Sequence, residues 1–489
     1  LNVLAIDQGT SATKALLAGP GGEVLGRAEV PVRTRSVGAD GVEADPEELF
    51  GSVVEAGRRA LAAAASATGG AGAGAVALAN QGETVLAWDR RTGRPLTPAI
   101  VWQDRRSAGV CARLADRGAE LTALTGLPLD PYFAAPKMTW LRENLAQSIS
   151  GDGVVTTTDT WLLHRLGAGY VTDAATASRT MLLDLDRAAW SETACAAFGL
   201  DPAALPTVTD CAGVAGETTM FGGNPAGRSL PVAGIAVDQQ AALLAEGCLA
   251  AGDAKCTYGT GAFLLVTTGS RAARSGAGLS SSVAWRLAGQ VTYCLDGQVY
   301  TAGSALRWLT ETGLLDGPGA LDATGGSVQD TGGVTFVPAL AGLGAPYWAP
   351  DARGVLAGLH LGTTRGHIVR AVAEGIAASV ALLVTAAVAD LGRPLTSLRV
   401  DGGLTRSRLL MQAQADLLQV PVLVCRTPDA TALGVAALAR LGTGDAGSVA
   451  EALGPAEVET TVEPAITADQ AAERMAVFRS AIDLTLARR

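Results

Sequence analysis

Three glycine-bearing turns stand in order along the chain: Asp7-Gln8-Gly9-Thr10, Tyr258-Gly259-Thr260-Gly261 and Asp401-Gly402-Gly403-Leu404. Each follows a short strand-like run: Asn2-Val3-Leu4-Ala5-Ile6, Ala254-Lys255-Cys256-Thr257 and Leu398-Arg399-Val400. Small residues at the end of a strand let backbone N–H groups approach phosphate oxygens, because no Cβ stands between them. A single Gly-Thr or Gly-Gly turn is ordinary, but the ordered set of three reads as a split nucleotide site. Asp7 ends a buried strand inside the first turn. A carboxylate is costly there unless it faces a cation or its water shell, so it reads as a Mg²⁺ partner, with an Asx turn closing the hairpin as the other reading.

The elements that must carry these turns follow from pattern. Residues 3–7, 12–17 and 23–30 alternate strand-like runs with tight turns, the last after Gly19-Pro20-Gly21-Gly22, and read as an antiparallel meander. That excludes the two commoner nucleotide motifs. A dinucleotide fingerprint needs a helix directly after its glycines, and a P-loop needs Gly-Lys before Ser or Thr, whereas none of Lys14, Lys137 and Lys255 follows a glycine. A helix is expected over 46–65, with Asp45 as N-cap and Pro46 at its first position; a short loop at 69–74 then leads into a strand over 75–79. The strand, glycine turn and strand pattern restarts at 254, with further strands at 262–267 and near 291–295. Two similar modules suggest a duplication that clasps a ligand between its halves, with the boundary at 238–250. A long central helix is expected over 364–391, an acidic irregular tail from about 444, and a last helix over 468–487 capped by Thr467.

Composition narrows the class. At 489 residues the chain calls for at least two domains, and 48% hydrophobic against 17% charged residues describes a well-buried enzyme. A net charge of −10 without a basic run argues against nucleic-acid partners. Seven scattered cysteines without a CxxC pair point to reduced thiols, and three unpaired histidines point away from zinc and toward a hard, oxygen-held metal. No secretory leader opens the sequence, and the apolar stretch 371–389, interrupted by Glu374, reads as a buried helix rather than a membrane span. The expected location is cytoplasmic.

Over essentially its whole length the chain resembles the FGGY carbohydrate kinases, and within them the glycerol kinase branch. The stretches that carry the resemblance include Asp7-Gln8-Gly9-Thr10, Gly41-Val42-Glu43, Ile100-Val101-Trp102-Gln103-Asp104-Arg105-Arg106 and Asp130-Pro131-Tyr132-Phe133. They continue with Ala177-Ser178-Arg179-Thr180-Met181-Leu182, Asp238-Gln239-Gln240, Thr257-Tyr258-Gly259-Thr260-Gly261, Ala345-Pro346-Tyr347-Trp348 and Thr431-Ala432-Leu433-Gly434. The family's two characteristic regions fall at 133–144 and 354–374, with departures at Ala134 and Ala373. The resemblance implies an α/β, two-domain ATPase fold of the actin and hexokinase (ribonuclease H-like) type, with ligands in the interdomain cleft. Residues 1–243 would bind acceptor and phosphate, and residues 244–489 the nucleotide.

The resemblance also implies roles. Asp238 would be the catalytic base for the acceptor hydroxyl, a helix N-cap being its plainer reading. Glu83, Trp102, Tyr132, Gln239 and Phe263, with Asp238, match the acceptor wall. Thr10, Ser11, Ala12 and Lys14 match the ATP loop, Lys14 standing where an arginine is usual. Thr260, Gly261, Gly303, Arg307, Gly402, Gly403 and Ser407 match nucleotide contacts, with Arg307 replacing the usual glutamine and Ser407 the usual asparagine. The main departure is Asn80-Gln81-Gly82-Glu83-Thr84, where Gly82 replaces an arginine that grips glycerol. Losing that guanidinium removes charge-assisted hydrogen bonds and opens room for a larger acceptor, while compensation by water or a loop would keep glycerol. The implied reaction is ATP- and Mg²⁺-dependent phosphorylation of a terminal hydroxyl of glycerol or a similar small polyol. A four- or five-carbon polyol or a ketose is the alternative acceptor, and a catalytically silent nucleotide sensor the alternative class. The allosteric loop of some glycerol kinases corresponds to 222–229, where Arg228 is one place off, so regulation is not expected. Family members are often homodimers or homotetramers.

Overall fold

The computed structural model describes residues 1–68, 70, 72–149, 151–222, 229–426, 429–454 and 457–487. Most of the loop at 222–229, Arg228 included, lies outside the described residues.

The first thirty residues form the expected meander, Val3–Gln8, Ala12–Ala18 and Val24–Pro31, each antiparallel to the next. Val3–Gln8 also pairs in parallel with Ala75–Asn80, which pairs in parallel with Leu230–Val237, and Ala212–Thr218 closes the edge of this six-stranded sheet. Side chains alternate between the faces of a strand, and this strand uses both. Leu4 and Ile6 pack with Leu49, Val53, Ala56 and Ala60 of the helix Pro46–Thr68, whereas Val3 and Ala5 pack with Val435 and Leu438 of the helix Ala430–Gly442. The first helix starts as expected, with the Glu47 N–H donating to Asp45 Oδ1 at 2.8 Å. The second covering helix comes from the far end of the chain.

The second sheet runs Ser280–Leu287, Gln290–Val299, Ala262–Gly269, Ala254–Tyr258, Leu398–Asp401, Val422–Cys425 and Val458–Val462. Its meander copies the first in space, but with two differences from expectation. Ser280–Leu287 is an additional edge strand, and the tail contains the strand Val458–Val462, antiparallel to Val422–Cys425. Both were obscured by composition, one by three serines that the fold buries and the other by its exposed Glu-Thr-Thr core. The helix Arg365–Leu391 packs beneath, its start held by a reciprocal cap between Thr364 and His367. It is the one described helix long and apolar enough to span a membrane, and it is mostly buried within the protein.

The two halves meet along backbone-to-backbone contacts. A Cβ on Gly434 would lie 2.0 Å from the carbonyl oxygen of Ala241, so the helices Asp238–Ala245 and Ala430–Gly442 cross at glycine distance. We expect Gly434→Ala to cost about 1–3 kcal/mol of stability. Because the displaced helix begins at Asp238, turnover should fall with it. Thermal melting and steady-state kinetics of the variant check both, and unchanged values would show that the crossing tolerates a methyl group.

Candidate active site

Parallel strands put their carboxyl ends on one edge of a sheet, and both sheets use that edge. In the first, Val3–Gln8, Ala75–Asn80 and Leu230–Val237 deliver Asp7, Glu83 and Asp238. In the second, Ala254–Tyr258 and Leu398–Asp401 deliver the turns at 259–261 and 402–403. A cleft of about 370 Å³ lies between them, and ten of the expected residues line it: Thr10, Ser11, Glu83, Trp102, Tyr132, Asp238, Gln239, Thr260, Phe263 and Arg307. Asp7, Ala12, Lys14, Gly82, Gly261, Gly303, Gly402, Gly403 and Ser407 are not on its wall.

The first turn is closed by backbone, Gly9 N–H donating to the Ala12 carbonyl at 3.1 Å, and not by an Asx bond from Asp7. Side chains then tie the turn to the acceptor loop. Trp102 Nε1 donates to Thr10 Oγ1 at 2.8 Å, Thr10 to Gln81 Oε1 at 3.3 Å, and Gln81 Nε2 to Gln8 Oε1 at 3.1 Å. Asp7 sits opposite Lys14 across the hairpin. Burial pushes its carboxyl up to about 6 against the pull of Lys14, with Asp429 adding to the rise.

Asp238 is the first residue of its helix, Val237 being the N-cap, and its Oδ1 accepts from the Gln239 N–H at 2.7 Å. Burial and the charge of Asp7 lift its carboxyl to about 7, while that N–H, Lys255 and Arg179 resist the rise. Lys255 is wholly buried, donating to Gln239 Oε1 at 2.9 Å and Thr257 Oγ1 at 2.6 Å. It therefore holds the residue after Asp238 to the strand that leads into the second glycine turn.

The acceptor end is walled by aromatic rings: Trp102 meets Tyr132 edge-on with centroids 5.6 Å apart and Phe263 at 6.3 Å. The loop carrying Tyr132 is pinned by buried Lys137, whose Nζ donates to the carbonyls of Pro131 at 2.9 Å, Tyr132 at 2.5 Å and Phe133 at 2.8 Å. Glu83 is not left without a guanidinium by the glycine at 82. Arg179 Nε donates to Glu83 Oε1 at 2.7 Å, and its Nη1 pairs with Asp296 of the second sheet. All three side chains are buried. Burial raises the Glu83 carboxyl above its ordinary value, and Arg179 opposes the rise. Gly82 itself has φ +72°, and a Cβ there would come 2.8 Å from Val237 Cγ2, so a side chain is disfavoured on both counts.

In the second half, close packing explains Gly303 and Gly402. Gly303 starts the helix Gly303–Glu311 against the second turn, where a Cβ would meet the Gly259 carbonyl oxygen at 2.6 Å. Gly303 and Ser304 N–H groups donate to the Gly259 and Thr260 carbonyls at 3.0 and 3.1 Å. Gly402, at φ +95°, lies against Tyr258, where a Cβ would come 2.4 Å from that residue's carbonyl oxygen, while Gly403 faces open space. Ser407 is engaged elsewhere, capping the helix Arg408–Leu418 through the Leu410 N–H at 3.1 Å and donating to Asp322.

Sequence reasoning left Arg179, Asp296, Lys255 and Gln298 out of the site, although all four line or brace the cleft. Two carried a visible signal. Arg179 lies inside a family-like stretch, and Lys255 interrupts a strand otherwise read as buried.

Comparison with known proteins bears on this geometry. The model of the FGGY family of carbohydrate kinases, N-terminal domain, matches residues 2–245, and that of its C-terminal domain matches residues 254–442. The chain is 44% identical to a glycerol kinase of Thermus brockianus over 450 residues, 90% of each chain. It is 42% identical to one of Aromatoleum aromaticum over 490 residues, 98% of each. Among solved structures, Plasmodium falciparum glycerol kinase with ADP superimposes with a TM-score of 0.91 at 30% identity, covering 99% of this chain and 98% of that one.

Proposed function

The chain belongs to the FGGY family of carbohydrate kinases, and from that premise we propose that it transfers the terminal phosphoryl group of ATP to a terminal hydroxyl of glycerol or a similar small polyol. The observation that carries the reading is convergence: Asp238, Glu83, Trp102, Tyr132 and Phe263 share one cleft with Thr10 and Thr260. A sensor without transfer activity has no physical need for a base, a polyol wall and two phosphate turns in one cavity.

Phosphoryl transfer needs an oriented acceptor hydroxyl and donors around the migrating group. Asp238 is suited to take the hydroxyl proton, because its carboxyl, held at about 7, is close to matched with a neutral medium. Glu83 would accept from a second hydroxyl through the oxygen that Arg179 leaves free, and the rings of Trp102, Tyr132 and Phe263 would pack on the carbon chain. Thr10, Ser11, Ala12, Thr260 and Gly261 would offer hydroxyl and backbone N–H groups to the phosphates, with Lys14 and Arg307 supplying charge. Gly403, which faces open space, would admit the nucleotide by lacking a side chain, while Gly303 and Gly402 would let the turns that shape its site pack closely. Ser407 would act through its helix cap, its hydroxyl being already bonded.

The donor set also fits Mg²⁺. Asp7 is a hard oxygen donor near Asp238 whose surroundings supply charge but no hydrogen bond. Among the described residues no group of three or more His, Cys, Asp and Glu gathers into a cage. That is the usual pattern for a magnesium held by a carboxylate together with substrate phosphates. When bound there, the metal would neutralise charge on the phosphates.

The domains of this reading are 1–243, for acceptor and phosphate, and 244–489, for nucleotide. It implies a cytoplasmic enzyme acting on a small molecule, without nucleic-acid or membrane partners, and the homodimer or homotetramer common in the family. Coupled ADP release with ATP, Mg²⁺ and glycerol tests it. Acceptor-stimulated turnover is expected, whereas steady ATP hydrolysis indifferent to glycerol and to every other polyol would replace the kinase reading with the sensor.

A further inference from the structure

At the acceptor end of the cleft lies a carboxamide with nothing to bind. Gln298 is 1% exposed, lines the cleft, and has no hydrogen-bond partner at either Nε2 or Oε1. Strand register fixes its direction. On the strand Gln290–Val299 it stands opposite Phe263 and two residues after Asp296, so all three side chains share one sheet face. That is the face on which Phe263 meets Trp102 and Asp296 meets Arg179. Gly344 packs close beside it, where an added Cβ would lie 2.4 Å from the Gln298 carbonyl oxygen and 3.3 Å from its Cγ. A carboxamide offers two N–H donors and two lone pairs, and leaving them dry in an interior is unfavourable unless a ligand satisfies them.

We propose that Gln298 is a specificity-determining residue that hydrogen-bonds an acceptor hydroxyl beyond those of glycerol, so that the cleft accepts a neutral, linear polyhydroxy compound of four or five carbons. The inference rests on the polyol kinase reading above and names the substrate class within it. Three features support it. A polyol hydroxyl both donates and accepts, which matches an amide. Glu83, Arg179, Asp296 and Gln298 form a continuous polar wall from the first half to the second, and the last two are roughly 7 Å apart along the strand, enough for a longer carbon chain. Finally, the charge of the wall selects against acids: Glu83, Asp296 and Asp238 outnumber Arg179, and Lys255 is already bonded to Gln239 and Thr257. Gly82 fits the same picture, because it contributes no side chain at the end where glycerol would otherwise be gripped.

The test compares wild type with Gln298→Leu, which keeps the bulk and removes the amide, by coupled ADP release with glycerol, erythritol, threitol, xylitol and ribitol. Wild type should use at least one of the longer polyols, and the variant should lower its kcat/KM relative to that for glycerol by at least tenfold, chiefly through KM. Melting temperature should not fall, since an unpaired buried amide has been removed. Equal loss on all acceptors, or none on any, would overturn the role of Gln298 while leaving the kinase reading intact. Should the variant fail to fold, wild type still decides: turnover of glycerol with none of the longer polyols defeats the proposal, and no acceptor-dependent turnover at all defeats the kinase reading with it.

Discussion

Asp238→Asn is expected to lower kcat by about 10²- to 10⁴-fold and, at pH 8, to raise the melting temperature of the ligand-free protein. The two effects have one cause. The carboxyl of Asp238 is lifted from 3.8 to about 7 by burial and by the neighbouring charge of Asp7. A carboxyl whose folded pKa lies above its unfolded value stabilises the fold only while protonated. Its contribution is complete below about pH 4 and is lost as pH rises through 7. Asparagine removes that loss, by a few kcal/mol at most on the scale of about 1.4 kcal/mol per pKa unit. The stabilisation should therefore be present at pH 8, shrink as pH falls through 7, and vanish near pH 4. Asp7 and Asp159, each held at about 6 chiefly by burial, keep part of the pH dependence in the variant. Melting curves across that range, beside single-turnover kinetics, check both halves. An inactive variant with no gain at pH 8 would mean that Asp238 is satisfied in the resting protein.

Arg179→Met is expected to have the largest effect on stability. Arg179 bridges two buried carboxylates, Glu83 of the first half and Asp296 of the second. Removing one member of a buried charge network leaves the others unpaired, and the usual cost is about 3–5 kcal/mol. The loss should be greater at pH 8 than at pH 5, because without the guanidinium burial drives the Glu83 carboxylate to bind a proton. Acceptor binding should weaken as well, since Glu83 loses the partner that fixes its rotamer. The triple variant Arg179→Met, Glu83→Gln, Asp296→Asn distinguishes charge from shape. Recovery of the melting temperature without recovery of activity is the expected result, and failure to recover would point to Arg179 packing over the Phe133 ring instead. The bridge also spans the two halves, so it has a second consequence. A motion that parted the two sheets at this point would have to break the Arg179–Asp296 pair.

Local order decided much of what could be read from residues alone. The meander, the helix Pro46–Thr68 and the long helix Arg365–Leu391 follow from turn glycines, caps and apolar runs, all of which act over a few residues. The glycine turns and Asp238 were legible for the same reason: their chemistry depends on their immediate neighbours and on family-like stretches around them. The strands Ser280–Leu287 and Val458–Val462 were not, because what makes them strands is the open edge they pair with. Packing of Ala430–Gly442 on the first sheet was equally hidden, since it joins segments more than 400 residues apart, as the ion pair from Arg27 to Asp429 also does. The acceptor wall depended most on tertiary structure. Sequence showed that Gly82 had no guanidinium to offer Glu83, but only the fold could bring Arg179 to the carboxylate 96 positions away and set Asp296 and Gln298 beyond it. Burial and opposition across a cleft are properties of chain segments that meet in space, and no local spacing encodes them.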